Sequence, residues 1–272
     1  MISQIWAVYW SATGNTKKTA LAIAGRLAEE LKCHLEALDF TLPADRQSPL
    51  SFHSGDLVLF AVPTYAGKVP NKILPYIQEN VHGNGALAVP VVTFGNRSFD
   101  NSLAELAFWL EKNGFHPIAA GAFAGRHAFT DKLAFGRPNQ EDEEEMKDFA
   151  QKAARKIKGS SQIPKAVSVP GDPDAPYYIP KRLDGQPAKF LKSRPKTDRN
   201  RCIQCGACAR SCPMGAIDEN NTSEVPGTCI KCQRCIRLCP KGAKYFDDED
   251  FLSHVVMLEK NFTDRKENEI FL

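Results

Sequence analysis

Eight of the nine cysteines lie between positions 202 and 239, and they form a repeat. Cys202-Ile-Gln-Cys205-Gly-Ala-Cys208-Ala-Arg-Ser-Cys212-Pro213 returns 27 residues later as Cys229-Ile-Lys-Cys232-Gln-Arg-Cys235-Ile-Arg-Leu-Cys239-Pro240. Each half is followed by a Gly-Ala step, Met214-Gly215-Ala216 and Lys241-Gly242-Ala243. A disulfide framework spreads its cysteines along a secreted chain, so this crowding reads instead as metal binding inside a cell. Three thiolates at two-residue gaps can wrap three irons of a cubane. The fourth follows on a helical turn that leads away and reaches the other cluster. The doubled C-x2-C-x2-C-x3-C-P spacing therefore predicts two [4Fe–4S] clusters. One takes Cys202, Cys205, Cys208 and Cys239, and the other takes Cys212, Cys229, Cys232 and Cys235. Zinc is the alternative, but two C-x2-C knuckles would leave half of each run and both prolines without a purpose. Cys33 stands apart and is expected to be a small, partly buried residue at a helix end.

A length of 272 residues suggests two domains. Up to about residue 158, apolar runs alternate with helical patterns. Candidate strands are Gln4–Trp10, His34–Asp39, Asp56–Val62, Ala86–Phe94 and Pro117–Ala124. Candidate helices are Thr16–Leu31, Asn71–Gln78, Asn101–Asn113 and Glu141–Lys158, with a long connection over Leu42–Phe52. Continuous apolar strands with intervening helices predict an α/β domain, a doubly wound five-stranded parallel sheet over residues 1–158. Residues 159–200 hold seven of the 18 prolines and no helical period, which predicts an extended linker lying over a domain. The cysteine module at 201–246 predicts a small α+β unit, with a protruding loop around Asn220–Gly227. A helical tail, 247–272, is expected to pack back on something. The apolar runs are too short for a membrane span, and the N-terminus lacks the pattern of a signal peptide, so the expected location is the cytoplasm.

Between the first strand and first helix lies Ser11-Ala12-Thr13-Gly14-Asn15-Thr16. Hydroxyls, an amide and free backbone N–H groups at a helix N-terminus, with Gly14 allowing close approach, make a neutral cradle for a dianionic phosphate. A plain N-cap would need the same residue types, but the position at the carboxyl end of a strand is where open α/β sheets bind ligands. No lysine follows in Walker spacing, which argues against a nucleoside triphosphate.

This S-x-T-G-x-T loop resembles the phosphate loop of flavodoxins, over roughly residues 2–158. The resemblance implies FMN, with its ring held by two further loops: Pro63-Thr64-Tyr65-Ala66-Gly67, and Thr93-Phe94-Gly95-Asn96-Arg97-Ser98-Phe99. In each, an aromatic could stack on the ring, and a glycine could let a peptide turn over beside the flavin N5. Arg97 is expected near the N1–C2 edge, where it would stabilise the reduced ring. The cysteine run is similar to bacterial two-cluster ferredoxins. Together the parts resemble the flavodoxin–ferredoxin fusion proteins of anaerobic prokaryotes. That resemblance implies an electron-transfer protein relaying electrons between the clusters and FMN, with a ferredoxin, flavoprotein or oxidoreductase as partner. Two alternatives use the same residues: a flavin-dependent reductase fed by its own clusters, and an iron–sulfur sensor with a vestigial flavodoxin fold.

The formal charge of +3 arises in one stretch, since residues 161–200 carry eight basic residues against four acidic ones. That is too local for a nucleic-acid binder, and Tyr177-Tyr178 within it is equally explained by a linker strapped to a surface. Two oxidised cubanes and an FMN phosphate, at about −2 each, would bring the loaded chain near −3. Gly83-Asn84-Gly85 precedes a strand and reads as a turn. Glu141–Glu145 reads as a solvated helix start, and His127 is the one histidine expected to approach a flavin.

Overall fold

The structure, a computed structural model, describes residues 2–160 and 162–272. The five predicted strands form the parallel part of the main sheet. They are β1 (Gln4–Tyr9), β2 (His34–Asp39), β3 (Asp56–Pro63), β4 (Leu87–Phe94) and β5 (Ala120–Ala124), in the spatial order β2-β1-β3-β4-β5. This 2-1-3-4-5 order belongs to flavodoxin-like doubly wound folds and reverses direction between β1 and β3. The central strands are covered on both faces, and every residue from Leu57 to Val62 is buried. The predicted strand Pro117–Ala124 is interrupted. His116–Pro117 and β5 both pair with β4, but the register slips by one residue between them. Pro117 has no N–H for the ladder, and the slip lets β5 resume pairing at Gly121.

Helix α1 (Asn15–Leu31) buries Ala20, Ile23, Ala24 and Leu27, the 3/4 spacing of one face, and ends where Lys32 turns left-handed. With α4 (Gln140–Lys158) it covers one side of the sheet through Tyr9, Leu59, Phe123 and Phe149. The α4 start is a capping box, Asn139 with Asp142. Acidic residues occupy its first turn and Arg155, Lys156 and Lys158 its last, which suits the helix dipole. On the other side lie α2 (Leu74–Asn80) and α3 (Ser102–Lys112), over Trp10, Phe40, Phe60 and Val92.

Residues 162–195 run as an extended strap. Val167 and Val169 pack on the second core, and the Val167 N–H reaches Pro117 O at 2.9 Å. Lys68, buried, pairs with Glu105 at 3.1 Å and donates to Pro173 O, pinning the strap to α3. The strap then crosses the carboxyl ends of the strands, where Tyr178 N–H bonds Ala66 O at 2.8 Å. Lys196–Thr197 pairs antiparallel with Lys244–Tyr245, so the end of the predicted linker joins the cysteine-rich unit. Within that unit stand two single-turn helices, α5 (Ala207–Arg210) and α6 (Arg234–Arg237). The loop expected to protrude at Asn220–Gly227 folds back instead. Thr222 and Val225 are buried, and Thr222 O accepts the Lys244 ammonium.

The tail forms the expected helix, α7 (Glu249–Asn261), capped by Asp248. It then adds what the sequence pattern did not predict: a sixth strand, β6 (Glu269–Phe271), antiparallel to β5 at the sheet edge. Ala124 N–H donates to Asn268 Oδ1 at 2.8 Å, and Asn268 Nδ2 donates to Asp142 at 3.1 Å. Asp142 is fully buried and also receives the Arg137 and Arg265 guanidiniums. Burial works against ionisation of Asp142, yet these donors hold its carboxyl below the usual range. Asp142→Ala strands the Arg137 charge in the interior. We expect a loss of about 3–5 kcal/mol, seen as a lower urea midpoint by circular dichroism. Asn268→Ala should cost about 1–3 kcal/mol.

Candidate cofactor sites

A cavity of about 240 Å3 lies at the carboxyl ends of β1, β3 and β4, where the three predicted loops meet. Ala12, Thr13, Asn15 and Thr16 line it, as do all five residues of Pro63–Gly67 and Thr93, Phe94, Gly95 and Arg97. The chain turns sharply between Tyr65 and Lys68, with Ala66 and Gly67 at φ +48° and +76°. Gly67 is required there because a Cβ would collide with the Asp100 carboxyl. Gly14, at φ +98°, starts α1 without a side-chain cap. The N–H groups of Asn15 and Thr16, the first two residues of the helix, are thereby left to whatever occupies the cavity.

Four predicted ring or phosphate residues take other roles. Ser11 Oγ accepts the Lys17 N–H at 3.1 Å, behind the loop. Asn96 is buried and turned away, its amide donating to Phe262 O at 2.7 Å and Asp264 O at 2.9 Å. Phe99 packs against Phe94 with ring centroids 5.6 Å apart. Arg97 lines the cavity but is not a free cation: it pairs with Asp100 and lies 4.0 Å over the Tyr178 ring. Its expected duty to a reduced ring gives way to that of a clamp on the strap. Asn15 Nδ2 is likewise engaged, by Arg126 O at 2.8 Å, and the Thr16 and Thr93 hydroxyls bond each other at 2.7 Å.

The far wall comes from distant sequence. Tyr178 and Phe190 come from the strap, His127 and Phe129 from the loop after β5, His254 and Leu258 from α7, and Ile230 and Lys231 from the cysteine-rich unit. Only the loop after β5 had a signal, being the fourth loop at a strand's carboxyl end. His127 Nδ1 accepts the Phe129 N–H at 3.1 Å, which puts the proton of the neutral ring on Nε2. Burial pushes the His127 pKa down to about 4, and the neighbouring positive groups His254, Arg237 and Arg97 push the same way. Burial also lowers His254, whose Nδ1 lies 2.8 Å from Lys181 O. Tyr65 is raised well above the ordinary phenol value, first by burial and then by Cys232 and Cys229.

The eight clustered cysteines divide between two smaller cavities. Cys202, Cys205, Cys208 and Cys239 line one, and Cys212, Cys229, Cys232 and Cys235 line the other. The repeat is structural as well. Gln204 and Lys231 have φ of +53° and +56°, and Gly206 and Gln233 have +72° and +66°. Paired left-handed turns wrap each run around its cavity. Ala216 N–H reaches Cys212 Sγ at 3.3 Å, and its counterpart Ala243 reaches Cys239 Sγ at 3.2 Å. Burial raises the Cys229 and Cys235 thiols and pushes Cys232 up to about 12. At Cys239 burial is outweighed by the backbone N–H groups of Ala243, Lys241, Lys244 and Gly242, and the thiol is lowered. Dry sulfurs ringed by N–H groups suit a polynuclear centre that neutralises them. Cys33 is a half-buried residue just past the end of α1, as expected.

Three guanidiniums join this unit to the α/β part. Arg234 Nη1 donates to Ala12 O at 2.8 Å and Ser11 O at 3.2 Å. Arg237 reaches His127 O and Ala128 O, both at 2.9 Å, and the Asp131 carboxylate at 2.8 Å. Arg46 reaches Pro213 O at 2.7 Å.

Family models described as 4Fe-4S binding domains match residues 195–218 and 226–242. Those two segments hold all eight clustered cysteines, so the chain carries 4Fe–4S binding segments, whose chemistry is electron transfer. Comparison with curated proteins gives no match. Among solved structures, a flavodoxin from the domain Archaea is 15% identical, with a TM-score of 0.41, covering 57% of this chain and 99% of its own. A flavodoxin of Streptococcus pneumonia TIGR4 is 19% identical, with a TM-score of 0.40 and the same coverages. Rubredoxin oxygen:oxidoreductase from the anaerobe Desulfovibrio gigas is 20% identical, with a TM-score of 0.41, covering 57% of this chain and 36% of that one. Among the described residues no helix is long and apolar enough to cross a membrane.

The buried neutral His127 has a consequence for stability. The unfolded ring titrates near 6.5 and the folded one near 4, so the unfolded chain binds more protons between those values. Stability therefore falls as pH drops through that window. In paired urea titrations at pH 7 and pH 4.5, His127→Gln should lose less stability than the parent, by about 2–3 kcal/mol. Equal losses would contradict the assignment.

Proposed function

We propose that the chain relays single electrons between two [4Fe–4S] clusters and an FMN held at the strand ends. In this reading Cys202, Cys205, Cys208 and Cys239 ligate one cluster, and Cys212, Cys229, Cys232 and Cys235 ligate the other. The division of the sulfurs between two cavities supports that assignment. The Asn15 and Thr16 N–H groups at the start of α1, with Thr13, would bind the phosphate, and the Pro63–Gly67 and Thr93–Arg97 segments would flank the ring. The residues fit such a group: one end of the cavity is hydroxyls and amides, and the other is aromatic and apolar. An FMN supplies the ability to take one or two electrons, where a cluster takes one. The chain itself orients the ring between loops, excludes water with Tyr178, Phe190 and Leu258, and keeps the His127 proton on Nε2.

The observation that carries the relay is continuity. Ile230 and Lys231 line both the strand-end cavity and the Cys212/Cys229/Cys232/Cys235 cavity, and Tyr65 and Cys232 pack against the same hydrophobic core. No solvent layer is needed between the two centres. The partners in this reading are redox proteins.

Protein purified without oxygen should hold about eight irons and eight sulfides per chain and release about one FMN on denaturation. Clusters without flavin would end the relay reading. Thr13→Asp puts a carboxylate where the phosphate would sit and should weaken FMN binding roughly 100-fold by fluorescence titration, with iron unchanged. Cys235→Ser should keep about four irons and the signal of one cluster.

A further inference from the structure

We propose that the face around the Cys202/Cys205/Cys208/Cys239 cavity is the docking surface for an acidic one-electron carrier protein. The proposal rests on the cluster assignment above. The two cysteine cavities are unlike in their surroundings. Next to the second, Met214, Ile230 and Cys232 pack against the α/β core, and Arg234 and Arg46 tie its chain down. The first is bordered by exposed residues: Cys205 is exposed, Ile203 is 58% exposed, and Leu238, beside Cys239, is 48% exposed.

Every charged residue on the two segments that carry this cavity's sulfurs, 199–210 and 238–242, is positive: Arg199, Arg201, Arg210 and Lys241. All four are exposed, and among the described residues none pairs with a carboxylate. Arg210 donates to Cys205 O at 2.9 Å and lies across Gly206, while Arg201 lies over Gly242. Exposed, unpaired cations on these segments, beside the exposed apolar Ile203 and Leu238 over a redox site, are complementary to an acidic redox protein, and such charges chiefly steer encounter.

The repeat supplies an independent argument. Arg210 and Arg237 occupy equivalent positions, 27 residues apart. Arg237 docks its unit onto two carbonyls and the Asp131 carboxylate of the loop after β5. The same group in the first copy is exposed; it bonds Cys205 O within its own turn, and among the described residues it meets no carboxylate. Transfer at this face is one electron from the reduced carrier to the oxidised cluster. The carrier is oxidised by one and the cluster reduced by one, with no bond or proton moved.

The test uses the cluster-loaded full chain and a fully reduced acidic flavodoxin as the probe, mixed in a stopped-flow instrument, with basic cytochrome c as a counter-probe taking electrons from reduced protein. Arg201→Gln/Arg210→Gln/Lys241→Gln should slow transfer from the flavodoxin about tenfold at low salt and flatten its salt dependence, while cytochrome c reacts as fast as before or faster. The flavodoxin's equilibrium Kd, read on a biosensor, should rise about tenfold. Arg201→Gln/Lys241→Gln, which leaves the Arg210–Cys205 hydrogen bond in place, should give a smaller shift of the same sign. Lys152→Gln on α4 should give none. Parental rates and Kd in the triple variant with full iron content would overturn the proposal, as would equal slowing with both carriers. Displacement of the flavodoxin from the wild type by a single-stranded oligonucleotide at near-stoichiometric concentration would reassign the face to nucleic acid. Iron, sulfide and flavin are measured first. A chain with both clusters and no flavin fails the relay reading but still tests this face, whereas a chain with no clusters fails both.

Discussion

The cofactor end of the molecule depends on Arg234, whose guanidinium grips the carbonyls of Ser11 and Ala12. A loop that turns its N–H groups toward a ligand turns its carbonyls away from it, and those carbonyls need donors of their own. Arg234 supplies two of them from a neighbour of Cys235, so one side chain both completes the loop and registers the cysteine-rich unit against it. Its positive charge also sits behind a loop whose own side chains are neutral. Ser11 does the matching work on the other side, capping Lys17 N–H and donating its own N–H to Thr41 at 2.8 Å.

What the sequence disclosed, it disclosed through short-range physics. Buried parallel strands read as apolar runs, and β1, β3 and β4 lie within two residues of their predicted ends. The cysteine spacing carried its own geometry, including the crossing of Cys212 and Cys239 into the opposite cavities. What stayed hidden depends on pairings between distant residues. The three residues of β6 have no pattern of their own, and the strand exists because Asn268, Arg265 and Asn96 tie the tail down. Asn96 belongs with them: a polar residue in a ligand loop looks like a ligand contact until the chain that satisfies it, here Phe262 O and Asp264 O, is known. Tyr178 and Phe190 looked like linker composition, although they wall the cavity.

The two halves of the cysteine repeat share one local geometry but meet different surroundings. Arg234 stands where the first copy has Ala207, and Gln233 stands where it has Gly206. Gln233 holds a left-handed conformation that costs about 1–2 kcal/mol without glycine, offset by its side-chain bond to Lys231 O at 3.0 Å. Lys231, buried, donates to Leu191 O of the strap. The divergence is thus concentrated on the face that meets the rest of the chain. Equal cysteine spacing then sits in unequal surroundings, with Cys205 of the first set exposed and every cysteine of the second half-buried, and solvent exposure is a main determinant of cluster potential.

The strap explains how so polar a junction holds. Guanidinium-to-carbonyl contacts, each worth about 1.5–3 kcal/mol, would hold two separate proteins together only weakly once the entropy of association is counted. A covalent connection replaces that cost with a loop-closure term that grows slowly with length, and it raises the effective concentration of one unit at the other. Here the connection is itself docked, through Val167 and Val169 on the core, Lys68–Glu105 beneath Pro173, and Tyr177 Oη on Val69 O at 2.9 Å. Residues 162–195 are therefore anchored to the α/β part at several points. They fix where Arg234 and Arg237 arrive and at the same time form part of the cavity wall, so joining the units and enclosing the strand-end site are one structural act.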